Sequence, residues 1–196
     1  RARTYLDMIV ERVFFRSRYL AEQALRNFAR RCGHIGDIAH LFEAAGKEIR
    51  KQTRSPGVAL YAQADNGYVR MQQVGEVEYP AQLDMDDSAL VAVRAEHKSV
   101  DLAGLESSLG VDGCVFPMMV LGVERGVIVC ANRPGEKYAS DEQELLSQVA
   151  CDVGAAWRIL RARHNEEFVR NVARGQFDIE MAKAQARALE TAWARA

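Results

Sequence analysis

Four cysteines and four histidines are the side chains here best suited to nucleophilic, redox or metal chemistry. Cys32, Cys114, Cys130 and Cys151 show no Cys-x-x-Cys spacing. That argues against a zinc ribbon or thioredoxin-like dithiol and for reduced thiols in a cytosolic compartment. A hairpin turn read at Val123 to Gly126 sets Cys130 opposite about Met119. Cys114 then lies about five residues further along its strand, ~17 Å away and out of reach of a bridge. Cys32 and Cys151 fall on helical seams, so all four thiols read as buried and inert. His34, His40, His97 and His164 have no i, i+4 partner and read as ordinary histidines. Asp84, Asp86 and Asp87 make an oxygen-rich cluster of the kind hard cations favour. The Gly and Glu of a calcium loop do not follow at the required positions, so helix capping is the better reading. A Gly-rich phosphate loop, a Gly-x-Ser-x-Gly elbow and paired acid/base carboxylates are absent. No catalytic residue, metal site or cofactor is expected.

Composition narrows the classes further. The chain has 196 residues, 48 % hydrophobic and 27 % charged, the profile of a globular domain rather than a disordered tract. Lys+Arg number 26 and Asp+Glu 27, a net charge of -1 that offers no global field for nucleic acid. The basic runs Arg16-Ser17-Arg18, Arg30-Arg31 and Arg161-Ala162-Arg163 lack interleaved aromatics. They read as solvated helix faces or as anchors beside a membrane surface. No apolar run reaches the ~18 residues of a membrane span. The chain starts without Met and reads as a piece of a longer protein.

The elements that must position these residues follow from periodicity. Leu6, Val10, Val13, Ser17, Leu20, Ala24 and Phe28 step by four and three, as a helical seam does, and Cys32-Gly33 stops it. Asp37 caps a second helix to about Gln52, with Ile38, Leu41, Phe42, Ala45 and Ile49 on one face. Ser55-Pro56-Gly57 breaks it. Strands are expected at 58–62 and 68–74, joined by a type I′ turn at Asn66-Gly67. Asp86-Asp87-Ser88 caps a short helix from Ala89 to about Glu96, and 99–102 reads as a short edge strand. Two apolar runs, 114–121 and 127–132, read as strands covered on both faces, turning at Arg125-Gly126. Ser140 with Gln143 fits a capping box for a last helix. Its stripe is Leu146, Ala150, Val153, Trp157 and Leu160. After a phase slip at His164 it continues through Phe168, Val172, Gly175, Ile179, Ala182, Ala186, Leu189 and Trp193.

This order resembles a GAF domain over roughly residues 37–162. Ser55-Pro56-Gly57-Val58-Ala59-Leu60-Tyr61 is similar to the family's first strand, and Val115-Phe116-Pro117-Met118 to its apolar-Pro-apolar strand. Gly126 to Arg133 is similar to the strand that follows, and Tyr138 to Leu146 to the opening of the last helix. The resemblance implies an α+β fold: a central, mostly antiparallel, PAS-related sheet, with terminal helices on one face and a loop-plus-short-helix lid on the other. It divides the chain into a signalling or dimerisation helix at 1–36, the GAF domain at 37–162 and a helical extension at 163–196. The stretch Leu6-Asp7 to Tyr19 is similar to the juxtamembrane helix of some sensor kinases. Asn132, Arg133, Tyr138, Asp141 and Glu142 depart from the cyclic-nucleotide signature of the family, with Arg133 placed to pair with Asp141. Cys114, on a strand and followed by Val115, departs from the lid Cys-His of bilin-binding members. His97, after the lid helix, stands where a haem-binding member would place an axial ligand, but with no supporting second feature.

What the family implies is a non-catalytic sensory or regulatory domain of a bacterial signalling protein, whose parent is a kinase or other signalling enzyme. The alternatives are a thiol-based reductase of the free methionine sulfoxide type and a ligand-free dimerisation module. Its partners are a second copy of the chain and a small molecule of unnamed identity, with no nucleic acid. The setting is cytoplasmic, free or tethered to the inner membrane through segments outside the chain. The ligand pocket is expected at Met71, Leu83, Leu90, Val93, Phe116 and Met118. The dimer interface is expected at Leu6, Val10, Val13, Leu20, Leu146, Val153, Trp157 and Leu160.

Overall fold

The computed structural model describes residues 18–193. Helix α1 covers residues 18–32, and α2 runs Ile38–Thr53 with the Asp37 side chain accepting from the His40 amide. Strands β1 (Gly57–Ala64) and β2 (Gly67–Gly75) form a hairpin. The segment between β2 and β5 is the lid. It holds β3 (Gln82–Leu83), α3 (Ser88–Glu96) and β4 (Val100–Asp101). A second hairpin, β5 (Gly113–Val120) and β6 (Val123–Ala131), leads into α4 (Ser140–Trp193). The six strands lie in the order β3-β2-β1-β6-β5-β4, and every pairing is antiparallel. The expected α+β architecture is therefore present. The chain divides into two compact units, up to Arg158 and from Ile159.

The central strands are buried on both faces, which requires a layer on each side. On one side α2 lies against β1 and β2, and Gly46 lets it approach Val74 and Leu60 closely. The first turns of α4 lie against β5, where a Cβ on Gly154 would come within 2.9 Å of Met118 Cβ. Phe42 of α2 meets Trp157 of α4 edge to face at 5.6 Å. On the other side the lid closes over Ala59, Tyr61, Tyr68, Val115, Val127 and Val129 with Tyr79, Leu83, Leu90, Val93, Leu102 and Leu109.

Two turns differ from the sequence expectation. The first hairpin turns at Asp65-Asn66 without positive φ at either residue, and Gly67 (φ 148°) takes the unusual conformation one place later. The second turns at Leu121-Gly122, both with positive φ (52° and 76°), as a type I′ turn demands. Arg125-Gly126 is strand. Gly126 is there because a Cβ would strike the Tyr61 carbonyl oxygen of β1, so it serves a close approach rather than a turn. Asp141 bonds Arg18, while Arg133 pairs with Glu142 at 3.1 Å, donates to the Thr53 carbonyl and lies over the Tyr138 ring. The α4 start is tied by the Glu142 carboxylate accepting from the Ala139 amide rather than by Ser140.

The helical stripes are corrected too. Leu146, Val153 and Trp157 of the expected interface are buried within the first unit, which covers them from the same chain; Leu160, at the start of the second, is 7 % exposed. Leu20 is 58 % exposed while Leu25, Phe28 and Cys32 are buried, so the inward face of α1 keeps Phe28 of the expected seam but takes Leu25 in place of Leu20. Leu6, Val10 and Val13 lie outside the described residues. Truncating Trp157 to Ala is therefore expected to lower stability by about 3–5 kcal/mol, the range for a core aromatic. Chemical denaturation should show that loss independently of protein concentration; a loss that vanishes on dilution would return Trp157 to an interface.

Candidate functional site

Alternation along the strands sorts the expected pocket residues. Leu83, Leu90 and Val93 lie in the core under the lid. Phe116 and Met118 lie on the opposite face, since their neighbours Val115 and Val127 face the lid, Phe116 meets Tyr138 and Met118 meets Gly154. Met71 is the extra residue of a bulge, because Leu60 pairs with Gln72 and Tyr61 with Arg70; it is 41 % exposed.

The lid face carries polar groups that periodicity did not reveal. Three tyrosines stand in its core. Tyr61 donates to the Pro80 carbonyl and Tyr79 to the Gly57 carbonyl, both at 2.8 Å. Tyr68 donates instead to Glu124 Oε1 at 2.6 Å. Glu124 sits near the start of β6, only 8 % exposed, and its Oε2 is buried without a partner. Arg94, on α3, faces the same region. Its Nη2 donates to the Met85 carbonyl, while its Nη1 is buried without a partner. Burial pushes the Glu124 carboxyl above its ordinary range, against the opposing pull of Tyr68, Arg94 and His97. Desolvation likewise raises Tyr68, helped by its bond to Glu124. Arg94 thus stands beside both Tyr68 and Glu124, and its Nη1 and Glu124 Oε2 are the buried atoms of this cluster with no well-formed hydrogen bond, a deficit of about 1–3 kcal/mol for each such group.

Asp87 explains the aspartate cluster. Its carboxylate accepts from the Ala89 and Ser108 amides and from the hydroxyls of Ser107 and Ser108, so it caps α3 and ties down the loop before β5. Burial alone would raise its pKa, but these bonds bring it below the usual value. His97 ends α3 in the left-handed conformation (φ 54°).

The thiols need a correction. With the turn at Leu121-Gly122, Cys114 and Cys130 are direct register partners on adjacent strands. They lie on the face away from the lid, in one row with Asp101 and Val58. The Lys137–Asp101 ion pair (2.9 Å) lies beside Cys114. Burial pushes Cys114 and Cys32 up to about 11 and Cys130 higher still, which starves them of thiolate at neutral pH. Cys32 Sγ is held by the Ala29 carbonyl.

A separate cavity of about 280 Å³ lies between α1, the end of α2 and the start of α4. Arg18 Nη2 reaches both oxygens of Asp141 at 2.6 and 2.7 Å beside it.

Two measurements check this geometry. A carboxyl that binds its proton more tightly folded than unfolded makes stability fall as pH rises above the ordinary glutamate range. Glu124→Gln removes that loss, so the variant's melting temperature minus that of wild type should rise from acid toward neutral pH. A difference constant with pH would contradict the buried acid. Separately, a disulfide reagent at mildly alkaline pH should label Cys32, Cys114 and Cys130 slowly in the folded chain and rapidly in denaturant; fast labelling of Cys114 when folded would refute its burial.

No protein-family model matches the sequence, and neither does any curated protein. Solved structures do. The GAF domain of an Acinetobacter phosphoenolpyruvate-protein phosphotransferase superposes with a TM-score of 0.61 at 12 % identity, covering 71 % of this chain and 93 % of that one. The second GAF domain of DevS from Mycobacterium smegmatis gives 0.57 at 20 % identity, covering 66 % and 99 %. A free methionine-R-sulfoxide reductase from Neisseria meningitidis, solved with its substrate, gives 0.62 at 13 % identity, covering 74 % and 93 %. At these identities the likeness speaks for architecture, and the chain has the GAF fold.

Proposed function

We propose that the chain is a non-catalytic sensory or regulatory domain of a signal-transduction protein. It holds a small polar molecule under its lid and works as a homodimer. The observation that carries this reading is the pair of open valences, Arg94 Nη1 on the lid helix and Glu124 Oε2 on the sheet. A molecule that accepts from one and donates to the other joins lid to sheet. Its loss frees the lid, so binding and lid position are thermodynamically linked. The DevS and phosphotransferase GAF domains, each named as one domain of its protein, favour a domain that serves a larger chain.

Dimerisation is assigned to the second unit. Phe168, Val172 and Ile179 are 66 %, 44 % and 56 % exposed and recur at spacings of four and seven, the pattern of a coiled-coil seam. The α1 and α4 helices meet through Arg18 and Asp141, which gives a mechanical path from the domain to its flanking helices. As an exposed pair it contributes at most ~1 kcal/mol, weak enough to open in a switch.

The likeness to the Neisseria reductase favours a second reading, a thiol-based reductase. Against it, none of the four thiols belongs to the lid-side core, and those of Cys32, Cys114 and Cys130 are held strongly protonated.

Native mass spectrometry after gentle purification is expected to show a dimer carrying a small molecule that Arg94→Gln releases. Phe168→Glu with Ile179→Glu should give a folded monomer by sedimentation. Turnover of free methionine sulfoxide that Cys114→Ser abolishes would overturn the sensory reading in favour of the reductase.

A further inference from the structure

A second polar site lies away from the lid, at the end of α2. Lys47, Arg50 and Lys51 are spaced i, i+3 and i+4, which sets them along one face of α2, and Arg54 follows as its left-handed C-cap. With Ser55 and Val74 they line a concavity of about 460 Å³, and no carboxylate lines it. Lys47 is paired with Glu43 at its margin. Arg50 and Lys51 make no ion pair within the described residues. The Arg50 Nε is buried without any acceptor. That nitrogen lies against Gly75 (φ 112°), where a Cβ would sit 3.0 Å from it and only 2.2 Å from the Pro56 carbonyl oxygen.

Cations near a helix C-terminus complement its dipole, and that accounts for Arg50 and Lys51 being basic. It does not account for a guanidinium drawn into half-burial with an open donor, nor for a concavity in which Arg50 and Lys51 stand side by side with no ion pair within the described residues. A planar guanidinium flanked by ammonium groups matches the geometry and charge of a phosphoryl group. The volume is within the range of small-molecule sites and larger than one phosphate fills.

We infer that the Lys47–Arg54 face of α2 is an anion site for a phosphate-bearing ligand of at least two negative charges, with Arg50 as its central donor. The phosphoryl group belongs either to a soluble phosphate compound or to an anionic lipid headgroup at a membrane surface. The inference is independent of the lid reading, as no residue is shared.

The test titrates the full chain with inorganic pyrophosphate, following backbone amide signals. In parallel it measures co-sedimentation with phosphatidylserine–phosphatidylcholine vesicles and with phosphatidylcholine vesicles alone. Saturable shifts centred on residues 47–55 and weakened by added salt are expected. Arg50→Gln and, separately, the exposed Lys51→Gln should each reduce affinity by about tenfold, with near-ultraviolet dichroism unchanged. Binding to pyrophosphate identifies a soluble ligand. Binding only to the anionic vesicles, lost in the same variants, identifies a headgroup. Absence of both, or binding that neither variant weakens, overturns the inference.

Discussion

A sheet that is apolar on both faces cannot stand in water, and that constraint organises this chain. β1, β5 and β6 bury nearly every residue, so one layer must close each side. The helices α1, α2 and the first turns of α4 close one side around Phe42 and Trp157. The lid closes the other around Tyr61, Tyr68 and Leu90. Burial at roughly 25 cal/mol per Å² makes these layers the main source of stability, and the surface ion pairs add little.

The two covers are built differently. The helical cover leaves Arg50 Nε open at the end of α2 but meets its buried carbonyls from within the chain. Those carbonyls are met by Tyr138, Ser55 and Arg133. The lid cover keeps a buried acid, Glu124, and a half-buried guanidinium, Arg94, each with one buried atom that lacks a well-formed hydrogen bond. Such groups make a lid conditional, because its stability depends on what fills them. The thiols, by contrast, sit on the helical side or on the helices, where burial suppresses them as nucleophiles.

Much of this was legible in residue order. Period-two runs, the Asp37 and Asp87 caps and the Ser55-Pro56-Gly57 break gave the elements nearly to the residue. What escaped was register. Gly126 looked like a turn residue because glycine usually signals one, whereas here it admits a neighbouring backbone. Leu121 hid the real turn, because leucine seldom adopts positive φ. That error of a few residues moved Cys130 from Met119 to Cys114, and it put Glu124 in a loop rather than beside Tyr68. Phe116 and Met118 were assigned to the wrong face because strand runs that are apolar throughout do not announce which side is which. The apolar step through α4 was real, but period alone does not distinguish a stripe covered by the same chain from one left for a partner.

Native-state hydrogen exchange at two protein concentrations tests this division most directly. Amides of β1, β5, β6 and of α4 from Leu146 to Trp157 should share the slowest exchange, with protection unchanged by dilution. Protection around Val172 and Ile179 should fall on dilution. If dilution instead released the amides from Leu146 to Trp157, the first turns of α4 would belong to an interface between chains, and the account of a self-covered sheet would be wrong.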